Sequence, residues 1–66
     1  MADREALIAR KQMVRRQIEE TRRKLTQARQ PASGKPNKRQ IRQLEDKLDR
    51  LMTEEYTLRL AIDRSR

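Results

Sequence analysis

Gln30-Pro31-Ala32-Ser33-Gly34-Lys35-Pro36-Asn37 holds both prolines and the only glycine of a 66-residue chain, and sequence rich in Glu, Lys, Arg, Gln, Leu and Ala lies on either side of it. A proline pushes the residue before it away from helical angles, and glycine admits the left-handed conformations that turns use. The two flanks are of nearly equal length and are built from strong helix formers. The stretch is therefore the bend of an all-α, antiparallel two-helix hairpin. One arm spans residues 3–29, the bend 30–37 and the second arm 38–64, within a single unit covering 1–66.

Upstream of the bend, Leu7, Val14, Thr21 and Ala28 form one column of a heptad seam, and Lys11, Ile18 and Leu25 form the other, with Lys11 breaking an otherwise apolar line. Asp3 is placed to cap the start of this arm; Glu5 in the first turn and Arg29 in the last suit the helix dipole. At ~1.5 Å per residue the arm is roughly 40 Å long. Downstream, Asn37 followed by Gln40 has the form of a capping box, and Pro36 is placed to pack on Ile41 as a staple. The second seam is Ile41, Leu44, Leu48, Leu51, Glu55, Leu58 and Ile62, again at alternating steps of three and four.

In an antiparallel pair, facing positions have residue numbers that add to a constant. Leu7 with Ile62, Lys11 with Leu58, Val14 with Glu55, Ile18 with Leu51, Thr21 with Leu48, Leu25 with Leu44 and Ala28 with Ile41 all add to 69. Half of that number falls between Gly34 and Lys35, inside the bend. Seams assigned from periodicity and a bend assigned from proline and glycine thus agree on one register for a helical coiled coil. Lys11 and Glu55 lie one layer apart and are placed to pair, which fixes register more than it adds stability.

A further apolar ridge leaves this seam. Leu44, Leu48, Met52, Tyr56 and Leu60 follow at steps of four, which carries Met52, Tyr56 and Leu60 round to another face, and Ile8 and Met13 lie at the same end of the hairpin. Two helices cannot bury so wide a surface. The expectation is a partner interface of Ile8, Met13, Met52, Tyr56 and Leu60, filled by a second hairpin in a four-helix bundle or by the helices of another protein.

The net charge of +8 is concentrated at the bend. Between Thr21 and Leu44 stand Arg22, Arg23, Lys24, Arg29, Lys35, Lys38, Arg39 and Arg42 without a single acid, while the remaining ten cations are matched by all ten acids. Lys38, Arg39 and Arg42 also crowd the positive end of the second helix dipole, where acids are the stabilising choice, and a local rule broken without local gain points to a working site. Arg22, Arg23, Arg29, Lys35, Lys38, Arg39 and Arg42 are the candidate phosphate-binding residues, with the start of the second arm at Asn37, Lys38 and Arg39 as an anion cradle. Tyr56 is the only aromatic residue, which favours contact with a nucleic-acid backbone over base stacking or sequence reading. A merely solubilising basic face, or one that meets an acidic protein partner, also fits these charges.

Other chemistry is missing from the sequence. With no cysteine or histidine there are no disulfides, no usual zinc ligands and no switch near neutral pH. Ser33 and Ser65 have no activating base nearby, and Ser33-Gly34-Lys35 lacks the preceding glycine, the following Ser or Thr and the strand of a P-loop. The adjacent acids Glu19 and Glu20, and Glu54 and Glu55, point to different sides of a helix and read as ion-pair partners. The chain is thus expected to be no enzyme and to use no cofactor or metal. No apolar run approaches the ~18 residues of a membrane span, and Met1 to Arg10 lacks the apolar core of a signal peptide, so a soluble, cytoplasmic protein or a virion component is expected. Two functions fit: a small binding module whose basic loop end holds a nucleic-acid backbone without strong sequence specificity, or a structural or adaptor coiled coil that docks through its apolar stripe in a larger assembly, such as a viral one.

Overall fold

The computed structural model describes residues 3–31 and 34–65. Ala32 and Ser33 of the bend lie outside the described residues, as do Met1, Ala2 and Arg66. Two helices account for nearly all of the rest: α1, Arg4–Arg29, and α2, Lys38–Arg64. They pack antiparallel into a rod of 50 × 15 × 14 Å.

Each helix begins and ends where its local chemistry dictates. The Asp3 carboxylate accepts from the Glu5 N–H at 3.1 Å, and the Asn37 side-chain oxygen accepts from the Gln40 N–H at 3.2 Å, so each start satisfies one of its orphan amides. No return bond from the Gln40 side chain is present among the described residues, so Asn37 acts as a simple cap and not as half of a reciprocal box. At the other ends Gln30 N–H reaches Thr26 O at 3.1 Å, and Ser65 N–H is shared between Ala61 O and Ile62 O. Gly34 adopts φ +84°, a value that L side chains disfavour, which is why glycine stands at the centre of the bend. Pro36 is exposed, and Pro31 is the proline of the bend that is half-buried.

The heptad seam is the core. All fourteen seam residues are buried or half-buried, and outside the seam only Ile8, Pro31, Glu54 and Ala61 among the described residues are comparably covered. Val14, Ile18, Leu25, Leu51 and Ile62 are the buried apolar side chains, with Leu48 and Leu58 packed against the central cluster of Val14, Ile18 and Leu51. Thr21 is buried too, 2% exposed, and its hydroxyl donates to Gln17 O at 2.7 Å, so among the described residues no buried side-chain polar atom is left without a hydrogen bond.

The polar interruptions behave differently from expectation. Lys11 and Glu55 do not pair: Glu55 Oε1 takes Arg59 Nε at 3.3 Å, one turn along its own helix, while Lys11 has no carboxylate partner among the described residues. Lys11 faces Leu58 in the register, and a guanidinium one turn away on the same helix is the nearer partner for Glu55. Cross-helix ion pairs form on the flanks of the seam instead, between Arg10 and Glu54 at 2.6 Å and between Arg29 and Glu45 at 2.8 Å. Their residue numbers add to five less and five more than the seam constant of 69, so they lie on opposite flat faces of the hairpin.

Candidate nucleic-acid interface

The two flank pairs define which side chains share a face. In an antiparallel heptad pair, the positions just after one seam column line one flat face, and those just before it line the other. The face marked by Arg29 and Glu45 also receives Arg15, Arg22, Lys38, Arg42, Met52, Tyr56 and Arg59. A shallow groove runs there, lined by Arg15, Ile18, Glu19, Arg22, Met52 and Glu55.

The seven candidate phosphate-binding residues are all exposed, but they are not all together. Arg22, Arg29, Lys38 and Arg42 lie on the face of the groove, Arg23 and Arg39 lie on the outer edges of α1 and α2, and Lys35 is in the bend. Arg29 is the one of the seven that has a carboxylate within salt-bridge distance among the described residues, since Glu45, the first acid after the basic run, reaches back to it across the seam. The fold therefore neutralises one charge of the cluster.

The start of α2 is likewise partly spent. No acid stands in its first turn, yet the Gln40 amide is consumed by the Asn37 side chain and the Ile41 amide by Asn37 O at 3.0 Å. The amides of Lys38 and Arg39 have no partner among the described residues, which leaves a narrower anion cradle than the sequence suggests.

Arg15 joins this face although it lies outside the acid-free run. It continues a row of arginines, Arg15, Arg22 and Arg29, seven residues and roughly 10 Å apart. The heptad spacing of these three was the signal that could have found it.

The expected apolar interface is divided by the fold. Met52 and Tyr56, 44% and 57% exposed, lie on the groove face, with Leu60 at its outer edge and Ile8 half-buried near the open end. Met13, 53% exposed, belongs to the opposite face, where Arg10 Nη1 lies 3.7 Å from its sulfur. Among the described residues no group of three or more Asp or Glu side chains is placed to hold a metal ion. Comparison with protein-family models, with curated proteins and with solved structures gives no match.

Proposed function

We propose that this chain is a small non-enzymatic binding module whose loop end holds a nucleic-acid backbone and whose terminal half associates with further helices. The observation that carries the proposal is the acid-free run from Arg22 to Arg42, all of its candidate cations exposed and, among the described residues, only Arg29 countered by a carboxylate. Phosphates supply the missing countercharge, and neutralising them releases condensed counterions, so affinity falls steeply with salt. Without aromatic platforms at this end, binding is indifferent to sequence. No described helix is long and apolar enough to cross a membrane, and the cytoplasm or a virion interior is where such a module meets nucleic acid.

A second reading is favoured by Met52, Tyr56 and Leu60, large apolar side chains exposed on an otherwise polar rod: an adaptor coiled coil that docks on protein. A salt titration of binding to unrelated duplexes separates the two. Nucleic-acid binding gives a steep, sequence-independent salt slope, whereas no binding at low salt together with tight capture of an acidic protein supports the adaptor.

A further inference from the structure

We infer that a second copy of this chain packs on the groove face, related to the first by a two-fold axis that passes through Met52 of α2 and the level of Gln17 of α1, so that each helix runs antiparallel to its own copy. This deepens the associating half of the proposed function and is independent of what the loop end binds.

Charge complementarity selects this arrangement. In an antiparallel pair of identical helices, residues equally far before and after the axis face each other. On α2, an axis at Met52 sets Glu45 opposite Arg59 and, one residue out of exact symmetry, brings Asp49 to Tyr56 and Arg42 to Asp63 of the second copy. The seam register puts Gln17 at the level of Met52, so the same axis sets Arg15 opposite Glu19 and Glu5 opposite Arg29 on α1. These pairs outnumber the like-charge encounter of Asp49 with Glu55, whose carboxylate already holds Arg59, and symmetry makes every pair twice. The competing two-fold, parallel to the helices, places α1 against α2 of the second copy at equal height. To within one residue it faces Glu19 with Asp49 and Glu5 with Asp63, a like-charge encounter each time, against an opposite-charge encounter of Arg22 with Glu45 two residues out of level. The pattern therefore favours the antiparallel arrangement over the competing one.

The atoms for these pairs are in place. Arg59 approaches Glu55 through its Nε and Arg29 reaches Glu45 at Oε2, so each group keeps donor or acceptor capacity for a second partner. Arg15, Glu19, Arg42 and Asp63 have no ion pair among the described residues. Met52 and Tyr56 supply apolar surface at the centre, beside the groove that the axis crosses. Because the axis falls near the middle of both α1 and α2, the hairpins overlap along their whole length, the greatest burial two such rods can reach. The bends then lie at opposite ends, with the two Lys38 residues roughly 40 Å apart.

Two measurements on the full chain, freed of nucleic acid, test this. The chain has no cysteine, so Met52→Cys places two thiols on the axis. A short thiol cross-linker is expected to convert Met52→Cys to a covalent dimer while leaving Met13→Cys, on the opposite face, uncoupled. Equal coupling of both, or of neither, overturns the proposal. Arg42→Asp and Asp63→Arg each set like charges opposite each other twice, which is expected to weaken self-association roughly tenfold in sedimentation. An equimolar mixture of the two variants restores opposite charges at both positions and is expected to form a heterodimer as tight as the unsubstituted dimer. Where either variant loses helicity alone, recovery of helicity on mixing reads the same event. A monomeric unsubstituted chain, single variants as tight as the parent, or a mixture no tighter than its components overturns the proposal. None of these readouts uses nucleic acid, so their failure leaves the loop-end function standing, and loss of nucleic-acid binding leaves the dimer standing.

Discussion

The Arg10 guanidinium reaches across the helical seam to a single oxygen of Glu54, 44 residues away in sequence, donating from Nη2 at 2.6 Å and from Nε at 2.9 Å. Arg29 and Glu45 make the matching contact on the opposite face, so each flat side of the hairpin carries one ionic clasp. A slip of one heptad in one direction would set Arg10 against Lys47 and Arg29 against Lys38; in the other it would offer only Ala61 and Met52. The clasps thus penalise wrong registers more than they stabilise the right one. A double-mutant cycle on Arg10→Ala and Glu54→Ala is expected to return a coupling of roughly 0.5 kcal/mol, because the side chains are 51% and 37% exposed and solvent screens the pair. Urea melts at low and high salt check this, and a coupling that survives molar salt would contradict it.

The two central leucines of α2 are not equivalent. Leu51 is buried in the cluster with Val14 and Ile18, whereas Leu48 is half-buried and packs at its margin. Leu51→Ala is expected to cost about 2–3 kcal/mol and Leu48→Ala about 1–2 kcal/mol, since a cavity at an open margin can refill with water or collapse. Equal costs in chemical denaturation would show that the seam is more enclosed at Leu48 than the hairpin alone makes it.

Thr21 is the polar residue in the core, and its hydroxyl bonds only to the carbonyl one turn back, which already has a helical partner. Thr21→Val keeps the shape, replaces the hydroxyl by a methyl against Leu48 in the register, and is expected to stabilise the hairpin by about 0.5–1 kcal/mol. Thermal melts at fixed protein concentration decide it; a loss of stability would mean that the hydroxyl holds the local helix geometry.

Gly34 has open space where a Cβ would stand, with nothing within 4 Å, so any cost of a side chain there is conformational and not steric contact with neighbours. Gly34→Ala is expected to cost about 1 kcal/mol, and Gly34→Asn clearly less, because asparagine tolerates positive φ. Equal stability of the alanine variant and the parent, measured by urea melts, would mean that the bend has another conformation open to it.

Replacing Lys35, Lys38 and Arg39 by Gln is expected to leave helicity intact or raise it slightly, since α2 has no acid in its first turn and loses cations from the positive end of its dipole. Binding to unrelated duplexes should weaken uniformly, and its salt dependence should flatten by roughly 0.9 log units per lost phosphate contact. The control neutralises Arg4, Arg50 and Arg64, which lie outside the acid-free run, and binding should barely change. Equal losses from both triple variants in a titration would mean that net charge alone drives association.

The seam, its register and the bend were legible in the sequence because they rest on short-range rules: a heptad needs only the 3.6-residue turn, and the bend needs only what proline and glycine do to the backbone. All fourteen seam positions read from periodicity are covered in the hairpin, down to the threonine at Thr21. The charge excess between Arg22 and Arg42 is likewise a property of the chain before it folds. Pairing was not legible. An arginine or glutamate side chain sweeps several ångströms and can meet carboxylates or cations on its own helix or the opposite one at nearly equal energy, so which pair forms is decided by the packed geometry. Only the tertiary structure turned Glu55 to Arg59 and away from Lys11, gave Arg29 its countercharge in Glu45, and separated Met13 from Met52 and Tyr56 on opposite faces. Helical phase is local to each arm, but a face belongs to two helices at once, and it exists only when their seams have closed.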